Sequence, residues 1–425
     1  MSESQHSVFR RNQWALSLAQ LFAGIGIATG FAVGGILAER LTGRTELAGF
    51  AQTASILGAG ILAVPLARLA ERRSRRTALA SAYAIAFFGA VLIVLAIMFG
   101  IDIAFFLGMG CFGAATAAGL QGRYAATDAA PDHLKGSAMS VVIWATTIGS
   151  VAGPNLSGPG TQLGRSLGLD PLSGPFVIAI AGFLLSFISV LFLHRITPLI
   201  RQPSVGSADT GPAADTGRPE GASTSLRRGG TWQAIRRSPS ALMGLLSVVT
   251  GHMIMVATMV MTPLHMDHHG LGLELIGITI GGHILGMYGL SPVFGYLTDR
   301  FSAGRVILLG QTLFAVALLL GLVDALGESS FVRLSVALFV LGLGWSASLI
   351  AGSTLLTKEI EPDHRMAVQG LSDAGMNFGA AALAALSGPL LAFGGFASIT
   401  VMGLLVLAVA VFVSVRAKYG TRHTG

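Results

Sequence analysis

Apolar runs of roughly 20 residues recur along the whole chain, each long enough to cross a bilayer's hydrocarbon core of about 30 Å. Polar or Gly/Pro-bearing turns separate them. The pattern predicts twelve membrane helices, near residues 13–38, 47–69, 77–98, 103–124, 137–160, 173–194, 240–263, 274–298, 306–326, 332–356, 367–392 and 394–415. One stretch breaks the pattern. Residues 195–238, containing "RQPSVGSADTGPAADTGRPEGASTSLRRGG", are too poor in apolar surface to fold and predict a flexible linker. Six spans fall on each side, so the expected domains are 1–194 and 239–425. A β-barrel is excluded, because its strands alternate and run only about 10 residues.

Composition agrees. Of 425 residues, 52% are hydrophobic and 11% charged, against about 25% charged in soluble domains. The net charge of +7 would suggest nucleic acid on a soluble chain. Its distribution says otherwise. With the N-terminus inside, 23 of the 27 Lys and Arg fall on inner segments; Arg40, Arg44, Arg165 and Arg333 are outside. This asymmetry predicts a multi-pass protein of the cytoplasmic membrane with both termini in the cytoplasm, a lipid partner and no nucleic acid. The start "MSESQHSVFRRNQW" has no apolar core and is not read as a cleavable signal. Cys111, the single cysteine, is expected to pack as a small hydrophobe.

The halves are duplicated. "PDH" at 131–133 precedes "SGP" at 157–159, and the same pair recurs at 362–364 and 387–389. "LAERRSRR" (69–76) matches "LTDRFSAGR" (297–305), with Glu71 over Asp299 and Arg72 over Arg300. Parallel six-helix repeats with a site between them near the midplane are one plan for secondary transporters. "GYLTDRFSAGR" (295–305) resembles the loop signature of the major facilitator superfamily, G-x-L-x-D-R-x-G-R-R in outline, and "LARLAERRSRR" (66–76) its weaker copy. The resemblance covers essentially the whole chain. It implies an all-α membrane protein of two pseudo-symmetric six-helix bundles, rocking by alternating access. Gly295, Asp299, Arg300, Arg305, Glu71 and Arg72 are then candidates for a cytoplasmic gate, with Gly295 allowing close helix approach and Asp299 pairing with an Arg. The plainer reading is a positive-inside loop.

"HMIMVATMVMTPLHMDHHG" (252–270) gathers five methionines and four histidines. Met255 and Met259 share one helix face, as do His283 and Met287 on the next span. Thioether and imidazole suit a soft ion such as Cu(I), and two adjacent helices would stagger these groups in depth. Methionine is also a common apolar filler, and a lone His283 can serve as a hydrogen-bonded gate. Met255, Met259, Thr262 and Pro263, followed by His283 and Met287, resemble the major facilitator copper importers that supply cytochrome oxidase assembly, as do "GRYAATDAAPD" (122–132) and "WATTIGSVAGPNLSGP" (144–159). That likeness implies copper-path ligands at Met255, Met259, His283 and Met287. Similar branches are called riboflavin or drug transporters, so proton-coupled movement of a small organic compound stands as the alternative. His265, Asp267, His268 and His269 form an outer-mouth candidate, or a solvated polar loop. Asp373 and Asn377, four apart in "QGLSDAGMNFGAA", suit proton coupling, charge balance or a structural hydrogen bond. Arg123 and Asp128 read as a helix-end pair, and Glu39 as an interfacial residue. No nucleophile–base pair, Walker motif or zinc signature appears, so no enzyme and no cofactor are expected, and the carrier is read as a monomer.

Overall fold

The computed structural model describes residues 3–129, 135–193, 232, 235–360 and 362–420. The helices are α1 (Glu3–Thr42), α2 (Ala48–Arg72), α3 (Arg75–Phe99), α4 (Asp102–Phe112), α5 (Ala114–Ala129), α6 (Lys135–Asn155), α7 (Ser157–Ser166) and α8 (Gly174–Leu191) in the first half. The second half holds α9 (Pro239–His268), α10 (Leu273–Tyr288), α11 (Ser291–Phe301), α12 (Ala303–Leu326), α13 (Phe331–Glu359) and α14 (Pro362–Gly420). No strand occurs among the described residues.

Among the described residues, ten helical stretches are long and apolar enough to cross a membrane. One of them, Leu371–Arg416, breaks at Gly395, whose φ of 63° and ψ of −169° only glycine adopts readily, so it makes two crossings. The pair α6 and α7 supplies the remaining one of the twelve predicted. Three predicted spans are broken rather than continuous: α4 and α5 meet at Gly113, α6 and α7 at Leu156, α10 and α11 at Leu290. Most of the predicted linker, with the "PDH" side chains and those of Arg123 and Asp128, lies outside the described residues.

Small residues let the helices close up. A Cβ on Gly26 would stand 2.9 Å from the Phe183 ring, and one on Gly30 2.5 Å from Phe112. Phe112 in turn meets Phe183 edge-on at 5.0 Å. Cys111 is free and half-buried, packed where Gly89 leaves room. The second half packs chiefly as α9 on α14 and α13, α10 on α13, and α12 on α13 and α14.

Ser302, in the turn between α11 and α12, is the non-glycine residue with positive φ (93°) among the described residues. Backbone strain therefore sits inside the loop signature.

Candidate functional site

The two halves meet along one end of the molecule, the face opposite the termini, called here the far face. Two contacts make this seal, and they are copies of one another. In the first, α6 lies against α10: a Cβ on Gly277 would stand 2.5 Å from the Pro154 carbonyl oxygen, and one on Gly281 2.8 Å from Asn155 Nδ2. In the second, α14 lies against α2: a Cβ on Gly49 would drive into the Ala384 carbonyl oxygen, and Thr53 Oγ1 donates to the Ala381 carbonyl at 3.1 Å. Pro154 and Ala384 are separated by the repeat offset, as are Gly49 and Gly277, and Val151 and Ala381. The "SGP" glycines occupy matched places: Gly158 faces Glu274 and Gly388 faces Glu46, the start of α10 and the approach to α2. The duplicated motif is thus the far-face seam itself.

A third link crosses the seam. His268 Nε2 lies 2.8 Å from Glu39 Oε2, joining α9 to α1. Glu39, expected to be interfacial, instead holds the other half and also accepts from Thr45. Both partners of the link are partly exposed, and such pairs contribute about 0.2–1 kcal/mol. His268→Ala should therefore shift the balance toward a far-face-open form only severalfold, with less effect at high salt. Labelling of a cysteine at buried Ala381 in a Cys111→Ala background reads this shift. A change beyond tenfold would mean that the pair holds the seam far more tightly than an exposed contact can.

Of the other outer-mouth candidates, His265 and His269 pack together and Asp267 turns away. His265 is buried; its Nε2 faces Asp324 Oδ2 at 3.2 Å, and its ring stacks on Phe396 at 4.5 Å. His269 Nδ1 meets the His265 carbonyl at 2.8 Å. Asp267 turns to a far-face cleft of about 590 Å³, shared with Arg40, Arg165 and Glu274. No group of three His, Cys, Asp or Glu could hold a metal among the described residues. Four apart on the helix, His265 and His269 bring their rings to within 4.4 Å of each other, while His268 points across to Glu39.

Below the seam the same helix faces are bare. On α6, Trp144 and Ile148 stand in register with Val151 and Asn155 and are 55% and 56% exposed. On α10, Tyr288 lies two and three turns from Gly281 and Gly277 and is half-buried. On α14, Asp373 and Asn377 lie three and two turns before Ala384; both are exposed, with Phe378 69% exposed beside them. Asn377 Nδ2 donates to the Asp373 carbonyl at 2.8 Å. The halves part here into a vestibule opening toward the terminal face.

Three residues the sequence reading passed over line its head. His252, Trp345 and Tyr288 sit near the midpoints of α9, α13 and the Leu273–Phe301 span. Trp345 Nε1 donates to His252 Nδ1 at 3.0 Å, and Tyr288 meets the Trp345 ring edge-on at 5.7 Å. Gly251 faces Phe314 and Ser348, and Met253 packs on Gly379. His252, between them on the helix, stays half-exposed. Because α9 is flanked by α13 and α14 of its own half and by α1 and α2 of the other, that exposed edge faces the vestibule. In the first half, buried Gln20 is the matching polar hub, donating to Tyr83 Oη at 3.2 Å and accepting from Thr146 Oγ1 at 3.2 Å.

Two expectations change. The Met/His path assumed α9 and α10 to be packed neighbours. They meet only slightly, because α13 lies between them and packs extensively on both. His283 Nδ1 is bound to the Leu338 carbonyl of α13 at 2.7 Å, and Met255 shares the α9 face of Gly251, which also looks inward to α12 and α13. Met255, His283 and Met287 are buried and Met259 half-buried, the methionines within an apolar cluster that draws on both halves. Gly295 makes no close approach: a Cβ there would meet nothing within 4 Å. The halves are parted at that level, which removes any helix for it to touch. Arg72, Asp299, Arg300 and Arg305 are exposed, and Asp299 has no ion pair among the described residues. The Glu71 side chain lies outside the described ones.

Twelve crossings in two repeats, sealed at one end and open at the other, define a membrane carrier of the alternating-access kind. The Major Facilitator Superfamily model matches residues 16–289 and 273–424, and the chain belongs to that family. It is 32% identical over 420 residues to the uncharacterized MFS-type transporter YdeG of Bacillus subtilis (strain 168), covering 96% of this chain and 93% of that one. It is 28% identical to the riboflavin transporter RfnT of Brucella anthropi, over 92% and 91% of the two chains. Among solved structures, the nucleoside transporter NupG superposes with a TM-score of 0.66 at 16% identity, over 97% and 98% of the two chains. A bacterial homolog of the human lysosomal transporter Spinster, inward-facing and unoccupied, gives 0.66 at 13%, over 98% of both. These two likenesses concern the fold.

Proposed function

We propose that this secondary transporter carries a small organic compound, that its terminal face is cytoplasmic, and that the conformation described is inward-facing. The observation behind this is the paired seam: α6 on α10 and α14 on α2 are closed by matched residues at one end, while the same faces stand bare at the other. Rocking the bundles, 1–194 and 239–425, about a site at the vestibule head would expose it alternately, with 195–238 as the tether. Asp299 without an ion pair fits a gate that forms when the cytoplasmic side closes. Riboflavin, the cargo in the name of the 28% relative, fits the apolar, aromatic-lined vestibule.

Copper uptake is the second reading, favoured by one observation. His283 Nδ1 faces a carbonyl, which can only accept, so it carries the proton; buried Nε2 is left without a partner. A bare buried imidazole nitrogen one turn from Met287 is a ligand type that Cu(I) takes.

Asp373, exposed on the vestibule wall, is the proposed proton-coupling group, with Asn377 beside it. Proteoliposome uptake of riboflavin and of Cu(I) separates the readings. Saturable riboflavin uptake driven by a proton gradient is expected. It should be retained in His283→Ala and lose its dependence on the gradient in Asp373→Asn. Copper uptake abolished by His283→Ala, with no organic transport, would reverse the order of the two. Unaltered gradient dependence in Asp373→Asn would remove that residue from coupling.

A further inference from the structure

We infer, on the organic-cargo reading above, that the cargo is a planar, uncharged heteroaromatic molecule that offers a ring carbonyl or ring nitrogen to His252 and lays its ring against Tyr288. The chemistry of the Trp345–His252 bond carries the first part. An indole N–H only donates, so His252 Nδ1 must be the bare, accepting nitrogen and the ring proton sits on Nε2. A second proton on Nδ1 would set two N–H groups against each other and break the bond. While Trp345 is bonded, His252 therefore presents the vestibule with one neutral donor and no charge. Trp345 is a positioning residue: it is 6% exposed and acts through the tautomer it imposes.

Charge on the walls carries the second part. No Lys or Arg occurs in residues 12–39, 45–67, 136–164, 239–299, 334–357 or 366–415. A carboxylate or phosphate cargo would thus enter between these helices at mid-depth without a countercharge, which desolvation strongly disfavours. Asp373, with Asn377, is the acceptor on α14, the helix packed beside α9, and it suits an N–H on another edge of the ring. Shape carries the third part. Tyr288 is fixed edge-on by Trp345 and half-exposed, while Trp144 and Phe378 stand bare on the facing helices. Flat apolar groups around one donor select a flat ring bearing one acceptor over a flexible polar chain.

The test uses the full-length protein in nanodiscs. Binding of lumichrome, adenine and quinazolin-4-one is compared with that of a sugar, a dipeptide and Cu(I), in wild type, Trp345→Phe, His252→Ala and His252→Gln. Phenylalanine keeps an aromatic ring toward Tyr288 while removing the donor and part of the ring; His252→Gln separates loss of the donor from loss of packing. At least one planar ring should bind, and the sugar and dipeptide should not. Trp345→Phe should weaken binding about tenfold, because the tautomer and orientation of His252 are then no longer fixed. His252→Gln, which can still donate, should recover part of what His252→Ala loses. Failure of every ring to bind, or equal binding in Trp345→Phe and wild type, would overturn the inference. Binding of the sugar or dipeptide alone would overturn the cargo class and leave the organic carrier intact, whereas Cu(I) binding alone would take the organic reading down as well.

Discussion

Replacing Gly277 with valine lowers transport at least tenfold while leaving the thermal stability of the bundles almost unchanged, and Gly49→Val does the same. Both glycines meet backbone of the other half, Pro154 and Ala384 respectively, and no flexible side chain is there to yield. Overpacking of this kind costs about 1–3 kcal/mol. Here it falls only on the far-face-closed state, because the seam holds nothing together once the halves part. Each 1.4 kcal/mol or so shifts a two-state balance about tenfold. The valine variants should therefore rest with the far face open, and a cysteine at Ala381 should label there much faster than in the parent. Loss of transport with unchanged labelling would mean that valine acts by damaging a bundle, and the seam assignment would fail. Because the contacts are copies, the two variants should behave alike; a large difference between them would argue that the repeat is not used symmetrically.

Asp324→Ala is expected to destabilise the second half by about 3 kcal/mol, seen as a large fall in melting temperature or in half-life on heating in detergent. The carboxylate is fully buried. Its Oδ1 accepts from Ser330 N at 2.8 Å and Arg333 Nε at 2.9 Å; its Oδ2 accepts from Ser329 Oγ at 2.9 Å and faces His265. Removing it strands several donors at once, His265 among them, stacked on Phe396 and unable to reach water. Arg333 is partly exposed and also donates to the Glu328 carbonyl, which sets the loss at the low end of the range for a broken buried pair. Asp324→Asn keeps the shape but turns an amide donor toward other donors, so it should lie between alanine and wild type. Equal melting of all three would show that this network contributes nothing net.

Asp324 was invisible in the sequence because its meaning is relational. One acidic residue near the end of an apolar run looks like a boundary; only the packing of α12 against α13 and α9 brings Arg333 and His265 to it. The copper-path quartet is the opposite case. Spacing of four correctly put Met255 with Met259 and His283 with Met287 on common faces, since a helix fixes that locally. Whether those faces look at each other depends on which helix stands between, and α13 does. Trp144 was quoted for the motif it begins, yet its exposure came from the bare register below the seam. The duplicated "SGP" was readable as a repeat, while its role as the contact between halves required both copies to be seen against their partners.

The linear chain determined the solvent, the number of crossings, the duplication and the family, because hydrocarbon thickness and backbone hydrogen bonding leave an apolar run of 20 residues almost no other choice. Which polar groups meet, which stay bare, and which face is shut were decided by tertiary packing alone. Helix faces separated by hundreds of residues become partners through shape, and no local pattern encodes that choice.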